Sequence, residues 1–263
     1  RKADMHVRSL LSIALLMLAS CSTTPKEEPA KEPAKSDASA EPQGGLASYT
    51  AEPMELDGRL DEPVWQRAAV HAFALPGNRG GTMAEGASVR FAYDATHFYA
   101  AFDFADRDVV QESTQDEQQH FRTGDVAELF LKPADANHYW EFYVTPNGLK
   151  TAFFFPSRGR LGLPSAMAYE SELRVAASID GTLNDPSDTD AGWTGEMAIP
   201  RAELAAKGVP LSGDHDWLVL AARYNYGRHL TTMGAQLSCF PQVRRAAWHL
   251  HNQYAPLVLT PQP

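Results

Sequence analysis

Alternation of apolar and polar positions with a period of two runs through most of the chain after residue 45, and this period predicts strands. In SVRFAYD, Val89, Phe91 and Tyr93 share one face; in HFYAAFDFAD, Phe98, Ala100, Phe102 and Phe104 do, with Tyr99 and Asp103 opposite. Asp94 to His97 between these runs reads as a hairpin loop. Similar runs predict strands at 125–131, 139–145, 150–155, 172–178, 193–199, 217–225 and 256–260. Helical signals are sparse. Asp61 can cap a short helix that starts at Glu62-Pro63 and is anchored by Trp65, and Pro200 to Leu204 suggests another. The pattern predicts an all-β fold: an antiparallel β-sandwich, jelly-roll-like, with one or two short helices.

Two of these runs carry acids among aromatic residues, in GDVAELFLKPADANHYWEFYVTPNG. On the first, Ala127, Leu129 and Leu131 share a face opposite Val126, Glu128 and Phe130. On the second, Trp140, Phe142 and Val144 oppose Tyr139, Glu141 and Tyr143. If the two strands pair, the wholly apolar sets face the core, and Glu128, Glu141, Tyr139 and Tyr143 share the outer face. Carboxylates accept hydrogen bonds from sugar hydroxyls, and aromatic rings offer flat apolar faces to sugar C–H groups. The same pattern also suits a solvated sheet face.

The first residues have a different character. HVRSLLSIALLMLASC has a positive start (His6, Arg8) and an apolar run, Leu10 to Leu18, that falls short of the roughly 20 residues needed to span a bilayer. It reads as a secretory signal. Leu18-Ala19-Ser20-Cys21 resembles the bacterial lipobox, which implies a diacylglycerol on Cys21. Residues 22–45 hold Pro, Lys, Glu, Ala and Ser and almost nothing apolar, a composition too polar to offset its ordering entropy. The expected organisation is therefore a signal and lipobox over 1–21, a disordered tether over 22–45 and one folded domain over 46–263. Localisation follows as the bacterial cell envelope, lipid-anchored, at the outer membrane.

Charge and cysteine narrow the function. The net charge is −10 with no basic stripe, which argues against a nucleic-acid partner. The chain has 2 Cys, so with Cys21 lipidated no intrachain disulfide forms, and Cys239 between apolar neighbours reads as a small buried residue. The sequence has no GxSxG elbow, HExxH helix or P-loop. His249 and His251 lack a third ligand in sequence and read as surface residues.

Six phrases, ELDGRLDEPVW, VRFAYDATHFYAAFDFAD, GDVAELFL, YWEFYVTPNG, GWTGEMAIP and WHLHNQYAPLVL, occur in the order found in family 9 carbohydrate-binding modules, which this chain resembles from Met54 to Leu259. The resemblance implies a sugar held between two aromatic rings. Glu128 matches a position that bonds sugar hydroxyls, Tyr143 one where a family member carries a ligand-contacting Arg, and Trp248 one of the sandwiching tryptophans. The second sandwiching Trp is expected just before Asp125. There this chain has Phe121-Arg122-Thr123, with Arg122 in its place by spacing and Phe121 a substitute one residue away. Arg245 stands where the family has Asn. Glu141 completes the expected polar face. No cofactor is required, but some family members hold structural calcium, for which Asp103, Asp106 and Asp108 or the 185–190 loop offer oxygens.

The expected activity is non-catalytic capture of a poly- or oligosaccharide, for a co-resident glycoside hydrolase or transporter. Three alternatives stay open. Glu128 and Glu141 could act as the acid pair of a xylanase-type glycoside hydrolase. The domain could be a structural sandwich that has lost its sugar site. A haem-binding sandwich using Met197 or Met233 with a His is the remote third.

Overall fold

The computed structural model describes residues 44–77, 82–160 and 162–261. Cys21, the signal and nearly all of the expected tether lie outside these residues. Gly45, expected in the tether, instead begins the first strand. In chain order the elements are β1 (Gly45–Tyr49), α1 (Pro63–Arg67), β2 (His71–Ala72), β3 (Ala87–Tyr93), β4 (His97–Ala105), β5 (Val126–Pro133), β6 (Tyr139–Val144) and β7 (Lys150–Phe155). They continue with α2 (Leu163–Met167), β8 (Arg174–Asp180), β9 (Gly192–Pro200), α3 (Arg201–Ala205), β10 (Trp217–Asn225), β11 (Gln236–Phe240) and β12 (Ala255–Leu259).

Among the described residues the strands form one sheet in the order β7-β6-β5-β10-β12-β1-β3-β4-β9-β8, with β11 paired to β10 and β2 to β3. The expectation of an antiparallel sheet needs correction at one strand: β1 runs parallel to both β12 and β3. The domain is thus all-β, with a mixed and largely closed, barrel-like sheet and short helices. The sheet curls until its ends face each other. At Gly195 on β9 an added Cβ would meet Trp193 Cζ3 at 3.0 Å and Val144 Cγ1, on β6, at 3.1 Å. A side chain at this position would have to push its neighbours in those layers aside by a few tenths of an ångström.

The interior is filled by the faces that alternation assigned to it. Val89, Phe91, Phe98, Phe102, Leu129, Leu131, Trp140 and Phe142 all lie in the main core. The expected hairpin loop joins β3 to β4, closed by Asp94 Oδ1, which accepts from the backbone N–H groups of Thr96 (2.6 Å) and His97 (2.7 Å). Trp65 anchors α1 as expected, against Ala92, Tyr99, Ala101 and Ala198 on the far face of the sheet. Its Nε1 donates to Glu196 Oε1 at 3.0 Å. Burial raises the Glu196 pKa to about 7, with the charge of Glu62 adding to it.

At one end of the barrel, buried polar groups tie several loops together. Arg223 Nη2 donates to Asp106 Oδ2 at 2.9 Å, both side chains being 1% exposed. Arg223 Nη1 also donates to the Ala105 carbonyl at 3.0 Å. Asp125 accepts from the N–H groups of Val110 (2.8 Å) and Tyr226 (2.7 Å). Asn184 bonds Gln111 in both directions, at 2.8 and 2.9 Å. Asp190 accepts from Val109 N at 2.7 Å and Thr182 N at 2.7 Å. An ion pair broken in such surroundings leaves a buried charge behind, which is why these loops hold one geometry.

Candidate functional site

Glu128 and Glu141 share one face of the sheet, as strand parity requires. Glu128 on β5 stands opposite Tyr143 on β6 and Ala222 on β10, while Glu141 on β6 stands opposite Phe130 and Phe153. The two acids are therefore diagonal neighbours across β5 and β6. The expected outer face, however, is covered. Glu128 is 1% exposed, Glu141 3%, Tyr139 1% and Tyr143 1%. Their face forms a second apolar cluster beneath Val243, Trp248 and Tyr254 of the 241–254 segment, with Leu163, Ala166 and Met167 of α2 and with Phe121. The rule that a mixed carboxylate and aromatic face looks outward fails here for a plain reason. Val126, Phe130, Tyr139 and Tyr143 together carry too much apolar area to leave in water, and an irregular segment with no sequence period covers it.

Burying two carboxylates side by side has consequences for their protons. Burial, reinforced by the charge of Glu141, pushes the Glu128 pKa well above the carboxylate range. Burial alone pushes Glu141 up to about 8, against the pull of Tyr143, whose hydroxyl donates to Glu141 Oε1. Both Glu128 Oε2 and Glu141 Oε2 lack a hydrogen-bond partner, and Trp248 Nε1 has no well-aligned one, although its N–H acts on the nearby Tyr224 hydroxyl. An unpartnered buried polar atom costs about 1–3 kcal/mol. The three atoms lie within one aromatic cluster, two on carboxyl groups and one on an indole.

The other expected site residues divide into two groups. Phe121 reaches the cluster: its ring lies 5.5 Å from Tyr224 and 6.4 Å, edge-on, from Tyr143. Trp248 is 6% exposed within the same cluster, and its carbonyl accepts from the Tyr254 hydroxyl at 2.6 Å. Arg122 is exposed beside them, its guanidinium 5.5 Å over the Phe121 ring. Arg245 is exposed on the covering segment and joins it only through its carbonyl, which accepts from Ala247 N at 2.8 Å. Sequence reasoning missed Tyr224, Tyr254, Phe153 and Phe155, all packed in this cluster. Tyr224 was findable, since it occupies the same parity on β10 as Ala222 opposite Glu128.

His249 and His251 are not the free surface residues expected. Nδ1 of His249 and the Tyr139 hydroxyl lie 2.9 Å apart, and the His251 ring sits edge-on 4.3 Å from the Tyr139 ring. Burial lowers both pKa values, that of His251 to about 4 with help from nearby Lys132, His249 and Arg158. Cys239 is fully buried, as expected, and burial lifts its thiol to about 12. For haem, Met197 is sealed in the main core and Met233 projects into solvent, so neither faces a histidine-lined cavity.

The calcium ligands proposed from sequence do not converge. Asp103 faces Arg90 at 3.6 Å, Asp106 is engaged by Arg223, and Asp108 is engaged by Arg228. Asp190 of the 185–190 loop is spent on backbone N–H groups. Among the described residues no group of three or more His, Cys, Asp or Glu side chains is placed to hold a metal ion. Asp103, Asp106 and Asp108 are each paired with a guanidinium, and the donor set does not fit a calcium cage.

Two cavities flank the cluster. One, of about 410 Å³, is lined by Tyr139, Phe155, Arg158, Leu163 and His249. The other, of about 560 Å³, is lined by Glu112, Arg122, Thr123, Asn184, Tyr226 and Arg228.

No family model matches this sequence. No curated protein matches it either. Solved structures do match in shape. A proposed carbohydrate-binding protein from Bacteroides uniformis superposes with a TM-score of 0.63 at 13% identity, over 82% of this chain and 100% of that one. A carbohydrate-binding module of family 9 from Caldicellulosiruptor kristjanssonii, in complex with cellotriose, does so at 0.54 and 12% identity, over 83% and 94%. The same module in complex with glucose gives 0.54 at 13% identity, over 83% and 96%. This chain shares their fold. At such identities the likeness is one of architecture and says nothing by itself about the cluster of Glu128, Glu141 and Trp248.

Proposed function

We propose that this domain is a non-catalytic carbohydrate-binding domain of the family 9 type. The observation that carries the reading is the set of buried polar atoms without a well-aligned partner, Glu128 Oε2, Glu141 Oε2 and Trp248 Nε1, gathered among aromatic rings. A sugar supplies what that set lacks: hydroxyls that donate to the carboxyl oxygens, and C–H faces that stack on Trp248 and Phe121. Tyr143 holds Glu141 in place, and Arg122 forms the outer wall. Entry requires Trp248 and the 241–254 segment to swing off the sheet face. In the cell the domain is held by a lipid on Cys21 through the residues between it and β1 at the outer membrane, and it presents poly- or oligosaccharide to a co-resident glycoside hydrolase or transporter. Hydrolysis by this chain is disfavoured because the solved structures that it resembles are described as carbohydrate-binding proteins and modules.

Titration calorimetry of the full chain against a panel of neutral and acidic oligosaccharides tests the reading. Trp248→Ala is expected to weaken binding about tenfold or more, the loss of one aromatic platform. Circular dichroism reports whether the variant is folded. If no glycan binds, or if a folded Trp248→Ala protein binds as tightly as the wild type, the assignment is wrong.

A further inference from the structure

The cavity of about 560 Å³ beside Phe121 is the larger of the two that flank the cluster, and its size falls in the range of roughly 300–1,000 Å³ typical of small-molecule sites. Its walls are held from behind. Asn184 is fixed by its paired bonds to Gln111, and Tyr226 by its N–H to Asp125 and by its hydroxyl, which donates to the Phe121 carbonyl at 2.7 Å. Arg228 is bound by Asp108 and by the Asp188 carbonyl. The cavity therefore exists before a ligand arrives.

Its charges are unequal in availability. Arg228 and Asp108 neutralise each other. Arg122 has no carboxylate within ion-pair distance and no side-chain hydrogen bond among the described residues, and its guanidinium rests over the π face of Phe121. Glu112, the other charged group on the wall, is exposed to solvent, which screens its repulsion of an incoming anion. A preformed pocket next to a sugar site, with one uncommitted guanidinium resting on an aromatic ring, has the chemistry to take a planar carboxylate by paired N–H donors. In a chain with net charge −10, a general attraction for anions is absent, so any preference for acid is local to this wall.

We propose that Arg122 makes this domain selective for acidic glycans, reading the carboxylate of a uronic acid residue in the Arg122–Tyr226 cavity. The inference rests on the sugar-binding reading given above. The probes are oligomers of glucuronate, galacturonate and mannuronate, each as the free acid and as its methyl ester, which keeps the shape and removes the charge. Binding to the full chain is measured at low and high salt. At least one acid is expected to bind about tenfold tighter than its ester at low salt, with the ratio shrinking as salt screens the exposed guanidinium. Arg122→Gln is expected to bring that ratio to about one. The inference is overturned if every acid and its ester bind alike, if the acid preference survives Arg122→Gln, or if only neutral glycans bind. In those outcomes sugar binding itself still stands. If no glycan of any kind binds, the sugar-binding reading falls and this one falls with it.

Discussion

Replacing Glu141 with Gln isolates what the fold loses by keeping a carboxyl on the covered face. Glu141 is 3% exposed, and burial moves its pKa from 4.5 to about 8. The unfolded chain ionises this group near 4.5, so between pH 4.5 and about 8 it has released a proton that the native state retains. Stability from this group is therefore full below pH 4.5 and falls as pH rises toward 8. Each pH unit in that window costs about 1.4 kcal/mol. At pH 7 the wild type is then about 3 kcal/mol less stable than a permanently neutral side chain would make it, approaching about 5 kcal/mol above pH 8. Gln has the same shape, no charge, and a carbonyl oxygen that can still accept from Tyr143. Urea unfolding followed by tryptophan fluorescence, at about pH 4, 5.5, 7 and 8.5, gives the comparison. The two proteins should match at the lowest pH and separate by roughly 3 kcal/mol near neutrality, with Glu141→Gln the more stable. Glu128 is present in both, so the difference reports Glu141 and its repulsion of Glu128. A gap that stays constant with pH, or a Gln variant that is the weaker at pH 8.5, would refute the reasoning. Above pH 8, where Glu141 is ionised, the same variant should bind glycan more weakly, since an amide offers a sugar hydroxyl a poorer acceptor than a carboxylate. Stability and binding would then move in opposite directions, as expected where a site is maintained at the expense of the fold.

Other consequences follow from burial. Arg223→Met leaves Asp106 buried without its partner and should cost roughly 3–5 kcal/mol in urea unfolding, most of it recovered when Asp106 is also made apolar. Cys239, with its thiol raised to about 12, should resist thiol reagents in the native protein and react at once in denaturant; rapid labelling without denaturant would contradict its placement.

Much of this fold was legible in the sequence, and the exceptions share a cause. β10 spans 217–225, as its pattern predicts, and β5, β6 and β9 fall within two residues of expectation, because each presents a full alternating face to the core. GLASY (β1) and QLSCF (β11) gave no signal: they are short, rich in small residues, and acquire strand geometry only from neighbours distant in sequence. Alternation also says which side chains share a face but not whether that face is covered. Glu128, Glu141, Tyr139 and Tyr143 were placed together correctly, and their exposure was misjudged because Trp248 and Tyr254 reach them from a segment without periodicity. The resemblance brought Phe121, Tyr143, Glu128 and Trp248 to one place, and the structure does pack those four around one cluster. Arg245 it does not bring in. His249 and His251 could not be read from spacing, since their environment is set by Tyr139, more than a hundred residues earlier.

The parallel strand β1 carries a consequence for how the domain is made. It joins β12 on one side and β3 on the other, so it links the half of the sheet that holds Glu128 to the half against which Trp65 packs, with the lone bridge between Ala74 and Cys239 as a second tie. Its partners are Leu257 to Leu259 and Phe91 to Tyr93. One seam can close as soon as β4 follows β3 out of the ribosome. The other must wait until almost the entire domain has been synthesised, although β1 is the first strand to emerge. Until then the edge of β1 that pairs with β12 has no partner. β12 thus completes the described sheet, and the segment just before it covers the cluster of Glu128 and Glu141.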